Sequence, residues 1–171
     1  MKVFKAVVAA LALVAGTGTA MAVAQPADHG AGVYVLETES GAGLVERAGQ
    51  VGLGSPAAAT RWRITRDGGD REAWIVRTAD RARGWVLREA KPFAPVRVQP
   101  LVVFPTQPPR YPPYETWQAH VVEHVADGVV LTITSGANGW QVVVGGDYDP
   151  HLVVVPETFA PVKFVAHKVS D

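Results

Sequence analysis

The chain has 171 residues and no cysteine, and its 16 basic residues balance its 16 acidic ones, so the formal net charge at pH 7 is zero. The lack of cysteine excludes disulfides, thiol catalysis, iron–sulfur clusters and cysteine-ligated zinc. Because no block of like charge occurs, nothing in the sequence favours binding to nucleic acid or to an anionic membrane.

Residues 1–24 have the pattern of a secretory signal peptide. Lys2 and Lys5 form a basic start, and an apolar stretch of Ala, Val and Leu follows at residues 6–15. Small residues then offer cleavage after Ala22 or Ala24, and the whole segment is too short for a membrane span. We therefore predict a secreted, extracellular protein. Loss of both lysines leaves 14 basic against 16 acidic residues, a formal charge of −2.

Residues 33–169 form one domain of short β-type runs separated by clusters of Gly, Pro, Asn and Asp. Residues 49–59 show no clear run. The predicted strands are 33–38, 44–47, 60–65, 73–78, 85–88, 98–104, 116–122, 129–134, 140–144, 152–155 and 162–167.

Parts of this domain repeat about fifty residues apart, and such self-similarity indicates a repeated architecture. The matching pairs are 84–87 with 139–142, 101–105 (LVVFP) with 152–156 (LVVVP), and 116–120 with 163–167. A weaker first copy ends near Trp62. Three copies of four strands predict an all-β fold, a β-trefoil with twelve short strands in three pseudo-repeats. Trp62, Trp117 and Phe164 occupy matching places on the last strand of each copy, so we expect them to fill a pseudo-threefold core.

The sequence from His120 to His124 matches His-x-x-Glu-His, a zinc-protease motif that requires a helix. Residues 114–128 can be drawn as a helix, but the repeat aligns 116–122 with strands. On a strand the two histidines lie about 13 Å apart, too far to share one metal. We therefore predict no metal site and no cofactor. The acidic pairs Asp67/Asp70 and Asp147/Asp149 lack the spacing of a calcium loop, and backbone-bonded turns account for them better.

Sugar binding is a further possibility for a β-trefoil. The Gln-x-Trp signature of ricin-type lectins is absent, which disfavours that subfamily. An exposed Trp85 or Trp140 could still stack on a pyranose ring. Burial in the core is the simpler explanation for both side chains.

The connection over residues 105–113 contains five prolines in nine residues. Each proline restricts its own backbone and that of its predecessor, so we expect this Pro-rich loop to be stiff, extended and exposed. Arg110 lies near its centre between Pro109 and Pro112, with Tyr111 directly after it. The loop is either a rigid connector, a ligand for a proline-recognition domain, or an interaction loop that presents Arg110.

The strand pattern, the repeated Leu-Val-Val-x-Pro and the aromatic-terminated copies resemble the mycospin-type β-trefoil inhibitors of serine proteases. A more distant similarity exists to mycocypins and Kunitz-type soybean trypsin inhibitors. The residues that carry this resemblance are 101–105 followed by Trp117, and 152–156 followed by Phe164. The resemblance implies a serine-protease inhibitor without enzymatic activity, and we expect a monomer. Those fungal proteins generally lack a signal peptide, so the secretion predicted here rests on residues 1–24 alone. Because reactive loops differ between trefoil inhibitor families, it assigns no reactive residue.

Three basic loops are candidates for contacting a trypsin-like serine protease. The first contains Arg66 and Arg71 and joins the first and second copies. The second is a hairpin tip with Arg81 and Arg83. The third is the Pro-rich loop, where we predict that Arg110 enters the specificity pocket, because a guanidinium pairs bidentately with a carboxylate. The alternative function is a carbohydrate- or surface-binding module without enzymatic activity.

Overall fold

The computed structural model describes residues 30–70 and 72–171 and is almost entirely β-sheet. Its strands are β1 Gly32–Thr38, β2 Gly43–Arg47, β3 Gln50–Gly54, β4 Arg61–Arg66, β5 Ala73–Thr78, β6 Gly84–Val86, β7 Ala94–Pro95, β8 Arg97–Gln99, β9 Trp117–Val125, β10 Gly128–Ser135, β11 Gln141–Gly145, β12 His151–Val155 and β13 Phe164–Ser170. Two short 3-10 helices, Pro56–Ala58 and Pro113–Glu115, precede β4 and β9. The signal-peptide prediction for residues 1–24 lies outside the described residues.

Strand pairing repeats three times and confirms the predicted β-trefoil. The last strand of each copy pairs with the first strand of its own copy and with the first strand of the next. The cross-strand partners that demonstrate this are Trp62↔Tyr34 and Trp62↔Thr78, Trp117↔Trp74 and Trp117↔Ser135, and Phe164↔Leu131 and Phe164↔Thr38. Because the three aromatic residues have equivalent partners, they occupy threefold-related positions, as the sequence predicted.

The core is built around large aromatic side chains. Trp62, Trp85 and Phe164 are fully buried and Trp117 is 1% exposed. Trp85 meets Trp62 and Trp117 edge to face, with ring centroids 5.4 and 5.8 Å apart. The Trp117 indole Nε1–H donates to the Trp85 carbonyl oxygen at 3.2 Å. Such packing removes a large apolar area from water without disulfides.

The first strand of each copy ends in a buried hydroxyl residue that binds the following turn. The hydroxyl oxygens of these residues accept N–H bonds at 3.1 to 3.2 Å, namely Thr38 from Ala42, Thr78 from Arg83, and Ser135 from Ala137. A short polar side chain at a turn offers the backbone a local partner in this way. These hydroxyl residues are also the cross-strand partners of Phe164, Trp62 and Trp117, so the turn bonds repeat together with the strand pairing.

Two of the predicted repeats do not hold in three dimensions. Gly84 pairs with Arg77 and Gln141 with Thr134, so Trp85 corresponds to Val142 rather than to Trp140. Val98 pairs with Trp85 as Val154 pairs with Val142, so β8 is the counterpart of β12. The LVVFP segment (residues 101–105) therefore lies beyond the third strand of the second copy. The LVVVP segment (residues 152–156) contains most of β12.

The strand prediction also missed or extended individual elements. The prediction of a strand over 98–104 is wrong after Gln99, because residues 101–103 have no strand partner. The supposedly irregular stretch 49–59 contains β3, whose alternating glycines conceal a strand pattern. Thirteen strands are observed in the described residues instead of twelve because the third strand of the second copy is split into β7 and β8.

Candidate functional site

The Pro-rich loop (residues 105–113) folds back on itself instead of running extended as predicted. The Phe104 N–H donates to the Arg110 carbonyl oxygen at 2.9 Å, and these two residues form an isolated antiparallel bridge. Within the loop, Thr106 donates from its N–H to the Phe104 carbonyl and from its hydroxyl to the Pro108 carbonyl, both at 2.8 Å. These bonds, together with five prolines, give the loop a defined shape.

Asp67 ties the Pro-rich loop to the Asp67 loop (residues 66–70), which connects β4 to β5. One carboxylate oxygen accepts the N–H groups of Gly69 and Asp70 at 2.9 and 3.0 Å. The other accepts the Tyr111 N–H at 3.0 Å. The Gly68 N–H also donates to the Pro109 carbonyl at 3.1 Å. Two of the three candidate loops therefore form one continuous surface, which the sequence did not predict.

Arg110 lies across this junction. A Cβ added at Gly69 would lie 2.5 Å from the Arg110 Nε, so a larger residue at position 69 would displace the arginine side chain. The backbone is engaged on both sides, because the Pro109 and Arg110 carbonyls and the Tyr111 N–H all have partners. The residue predicted to enter a protease pocket is therefore held by its neighbours.

Contacts between arginine and aromatic side chains hold the residues near Arg110 in place. The Arg77 guanidinium donates to the Tyr111 hydroxyl and its Cζ lies 5.0 Å from the centre of the Tyr111 ring. The Arg66 Cζ lies 3.4 Å from the Trp74 ring centre, a cation–π contact that holds Arg66 against the sheet. Arg71, another candidate, lies outside the described residues.

The remaining candidate loop, the β5–β6 turn with Arg81 and Arg83, has its own hydrogen bonds. Arg83 forms two 2.8 Å hydrogen bonds to the two carboxylate oxygens of Glu46 and so is paired within the protein. The pKa of Asp80 lies below its ordinary value because its carboxylate accepts bonds from the Thr78 hydroxyl and the Ala82 N–H. Arg81 is exposed and has a positive φ of 62°. That backbone differs from the extended form in which a substrate enters a protease cleft.

The sequence did not predict the exposed apolar segment that directly precedes the Pro-rich loop. Val102, Val103 and Phe104 are 45, 49 and 47% exposed, although their residue types suggest a core strand. The Val102 N–H donates to both carboxylate oxygens of Glu115, at 3.0 and 2.9 Å. Apolar runs look alike in sequence whether buried or exposed, so only a mismatch with the repeat could have revealed this one.

Glu115 is the buried support of that segment, with 1% exposure. Burial raises the pKa of Glu115 above its ordinary value of 4.5, because the charged form loses hydration. The Val102 N–H and the nearby Arg88 and Arg77 oppose this rise without cancelling it. A carboxylate thus supplies the acceptor that a neighbouring strand would otherwise provide.

The residues that the sequence suggested for metal or sugar binding have structural roles instead. His120 and His124 lie on β9, a strand, so the helical zinc motif does not form. No group of three or more His, Asp or Glu residues in the described ranges is arranged to hold a metal ion. Trp85 is fully buried and unable to stack on a sugar, and Trp140 is partly buried against the core. Asp67 and Asp70 accept N–H bonds from their own turn, as predicted for that pair, whereas the Asp149 carboxylate accepts a bond from the Arg47 guanidinium.

A cleft of about 170 Å³ opens where the two joined loops meet β9 and β10. Its lining residues are Asp67, Asp70, Ala73, Tyr111, Pro113, Thr116, Gln118 and Gly136. Small-molecule sites usually enclose about 300–1,000 Å³, so this cleft is small for a ligand pocket. Across residues 30–70 and 72–171, no helix has the length and hydropathy to cross a membrane. The joined Pro-rich and Asp67 loops, rather than this small cleft, therefore form the candidate binding surface.

Comparison with known proteins assigns a family and a fold. The model of a family described as peptidase inhibitor I66 matches residues 22–122, more than half of the chain. The matched region contains the Asp67 loop, the LVVFP segment and the Pro-rich loop. No curated protein matches the sequence closely enough to count as a relative.

Solved structures share the β-trefoil fold at low sequence identity. The chain is 18% identical to a Polyporus squamosus lectin bound to a human-type influenza-binding epitope, with a TM-score of 0.62, and the match covers 83% of this chain. It spans only 50% of the lectin chain. The designed threefold-symmetric protein ThreeFoil is 14% identical, with a TM-score of 0.61, and the match covers 80% of this chain and 99% of that one.

Proposed function

This chain belongs to the peptidase inhibitor I66 family, and from that premise we propose that it is an exported, monomeric inhibitor of serine endopeptidases. It acts by binding and catalyses no reaction itself. The observation that carries the proposal is the junction at Asp67, where the Pro-rich loop and the Asp67 loop hold each other through hydrogen bonds. A loop already fixed in shape loses little conformational entropy when it enters a protease cleft.

Trypsin is the first target to test, because Arg110 is the central cation of the Pro-rich loop and a trypsin-type pocket ends in a carboxylate. An inhibitor that binds like a substrate also places the carbonyl of the pocket residue in the oxyanion hole of the protease. The Arg110 carbonyl accepts the 2.9 Å bond from the Phe104 N–H, so that bond has to open for Arg110 to bind like a substrate. If Arg110 is the pocket residue, the bond between the Phe104 N–H and the Arg110 carbonyl is therefore broken in the complex.

The test is inhibition of trypsin, chymotrypsin, elastase and the cysteine protease papain by the protein without residues 1–24. If Arg110 is the pocket residue, Arg110→Ala weakens trypsin inhibition by about 30-fold or more, the loss typical of a binding hot spot. Arg83→Ala is the matched control, because Arg83 is paired with Glu46 on another loop. Inhibition of papain alone would contradict the serine-type proposal. If no protease is inhibited, a glycan array would test the carbohydrate-binding alternative.

Export has its own test. The basic start, the apolar stretch and the small residues before Gln25 support cleavage after Ala22 or Ala24. Intact-mass measurement of the secreted protein identifies the new N-terminus. A protein that retains Met1 outside the cell would contradict the proposal.

A further inference from the structure

The LVVFP segment exposes three consecutive apolar side chains without an evident structural need. Val102, Val103 and Phe104 are each close to half exposed and precede the folded Pro-rich loop. Runs of exposed apolar residues cost solubility and are retained mainly where a partner covers them. No charged residue lies between Leu101 and Gln107. The segment thus offers a neutral, apolar strip in a protein whose family inhibits peptidases.

The backbone of this segment is held on one side and open on the other. Val102 and Phe104 use their N–H groups inward, to Glu115 and to the Arg110 carbonyl. Among the described residues, none forms a hydrogen bond with the N–H or the carbonyl of Val103. Alternate residues of an extended chain point their backbone groups to opposite sides. The N–H and carbonyl of Val103 are therefore the backbone groups between the two supports that a partner could use.

We propose that the LVVFP segment is the strand that enters the protease cleft, with Val103 in the primary specificity pocket. The target is then a serine endopeptidase whose pocket accepts a small apolar side chain, as in elastase. This inference rests on the proposed function and names its target class. It assigns Arg110 a different role, that of a support whose carbonyl positions Phe104.

The free backbone groups of this strip favour a protease cleft as its occupant. An extended peptide can bind a partner by adding a strand, and the partner then pairs with free N–H and carbonyl groups. An oxyanion hole needs a carbonyl with no competing donor, and Val103 meets that condition. Phe104 does not, because its carbonyl accepts the Thr106 N–H and its own N–H is bonded to Arg110. Glu115 and Arg110 brace the strand from behind, which lowers the entropy cost of binding.

The test compares Val103→Lys with Val121→Lys, a matched control on β9. Both valines are 49% exposed, so both lysine variants should fold, and thermal unfolding checks this. Wild type is expected to inhibit elastase. Val103→Lys should raise the inhibition constant for elastase by about 30-fold or more and confer inhibition of trypsin, whereas Val121→Lys changes neither. Val103→Thr keeps the side-chain shape and should give a smaller loss for elastase.

The outcomes separate this inference from the proposed function. If Val103→Lys inhibits elastase as well as wild type does, or if wild type inhibits trypsin or chymotrypsin but not elastase, the inference is wrong while serine-protease inhibition stands. If wild type inhibits no serine protease, the proposed function fails and the inference fails with it.

Discussion

Two segments of this molecule share nearly the same sequence and lie in opposite environments. In the LVVVP segment, Leu152 to Val155 are all buried and form most of β12. In the LVVFP segment, the side chains from Val102 to Phe104 are about half exposed and form no strand. Five residues of matching apolar pattern thus give a core strand in the third copy and a surface strip in the second.

The difference arises from what each copy already contains. β12 pairs along its whole length with β11, so Leu152 and Val154 pack into the main core and Val153 and Val155 into a second apolar cluster. In the second copy the equivalent position is taken by Val98 on β8, together with Val96 and Ala94 before it, all buried. The LVVFP segment comes after that position is filled and passes along the outside. Burial is therefore set by register within the fold and not by the hydrophobicity of a short motif.

The supports of the two segments also differ. β12 receives backbone bonds from β11, whereas the LVVFP segment is held by the Glu115 carboxylate and by the Arg110 carbonyl. Two isolated anchors leave alternate backbone groups free, which a sheet would have used. An exposed segment with free backbone groups is what a binding partner requires, and the core strand β12 lacks both properties.

Truncation of matching positions should separate the segments most strongly. Leu152→Ala removes a fully buried side chain and should lower the free energy of unfolding by about 2–5 kcal/mol. Val103→Ala removes an exposed one and should change it by about 0.5 kcal/mol or less. Denaturant melts of both variants measure this. Equal destabilisation by the two changes would show that the LVVFP segment is part of the core.

Removal of the Asp67 carboxylate should have the next largest effect. Asp67→Ala leaves the N–H groups of Gly69, Asp70 and Tyr111 without their acceptor and should cost about 1–3 kcal/mol. Faster hydrogen exchange at the Tyr111 amide would show that the Pro-rich loop has loosened. Asp70→Ala is the control, because the Asp70 carboxylate accepts one N–H bond, from Glu72, on an exposed turn. Unchanged exchange at Tyr111 in Asp67→Ala would contradict the bridging role.

The smallest expected effect is on the pH dependence of folding stability, through the Glu115 carboxyl group that supports Val102. Because the folded-state pKa of Glu115 is raised, the folded protein binds the proton more tightly than the unfolded chain does. The stability from this group is fully present below its ordinary value of 4.5 and is lost as pH rises through the raised pKa. Glu115→Gln lacks this titration. Wild type should therefore lose stability relative to Glu115→Gln as the pH rises above about 4.5.

Thermal melts of both proteins across that range test the claim. A constant difference in midpoint between wild type and Glu115→Gln at all pH values would show that Glu115 does not titrate differently on folding. The glutamine keeps an acceptor for the Val102 N–H, so the LVVFP segment should stay in place in the variant.

Some features of the fold were open to prediction from residue patterns. The aromatic residue at the start of each last strand is a large side chain at a recurring position, and Trp62, Trp117 and Phe164 are buried as expected. The strand character of residues 116–122 also followed from the repeat, against the helical zinc motif at His120. These predictions succeeded because they used spacing across copies, which reports on the whole architecture.

The candidate site was predictable only in part. The sequence indicated the Pro-rich loop and the loop near Arg66 as separate candidates, because each has a distinct local composition. The two loops are joined because the Asp67 carboxylate accepts the Tyr111 N–H, a bond between residues 44 positions apart. The pairing of Arg83 with Glu46 is likewise non-local, at 37 positions. Such contacts form only after the strands between them take their register.

The sequence by itself determined the all-β class, the three copies and the aromatic core, since these follow from local propensity and from periodic burial. Only the tertiary structure decided which of two nearly identical apolar segments is buried. The physical reason is that a core position can be filled once, and β8 fills it in the second copy. The LVVFP segment is left at the surface, where Glu115 and the Arg110 carbonyl hold Val102 and Phe104 and leave the Val103 backbone groups without a partner among the described residues.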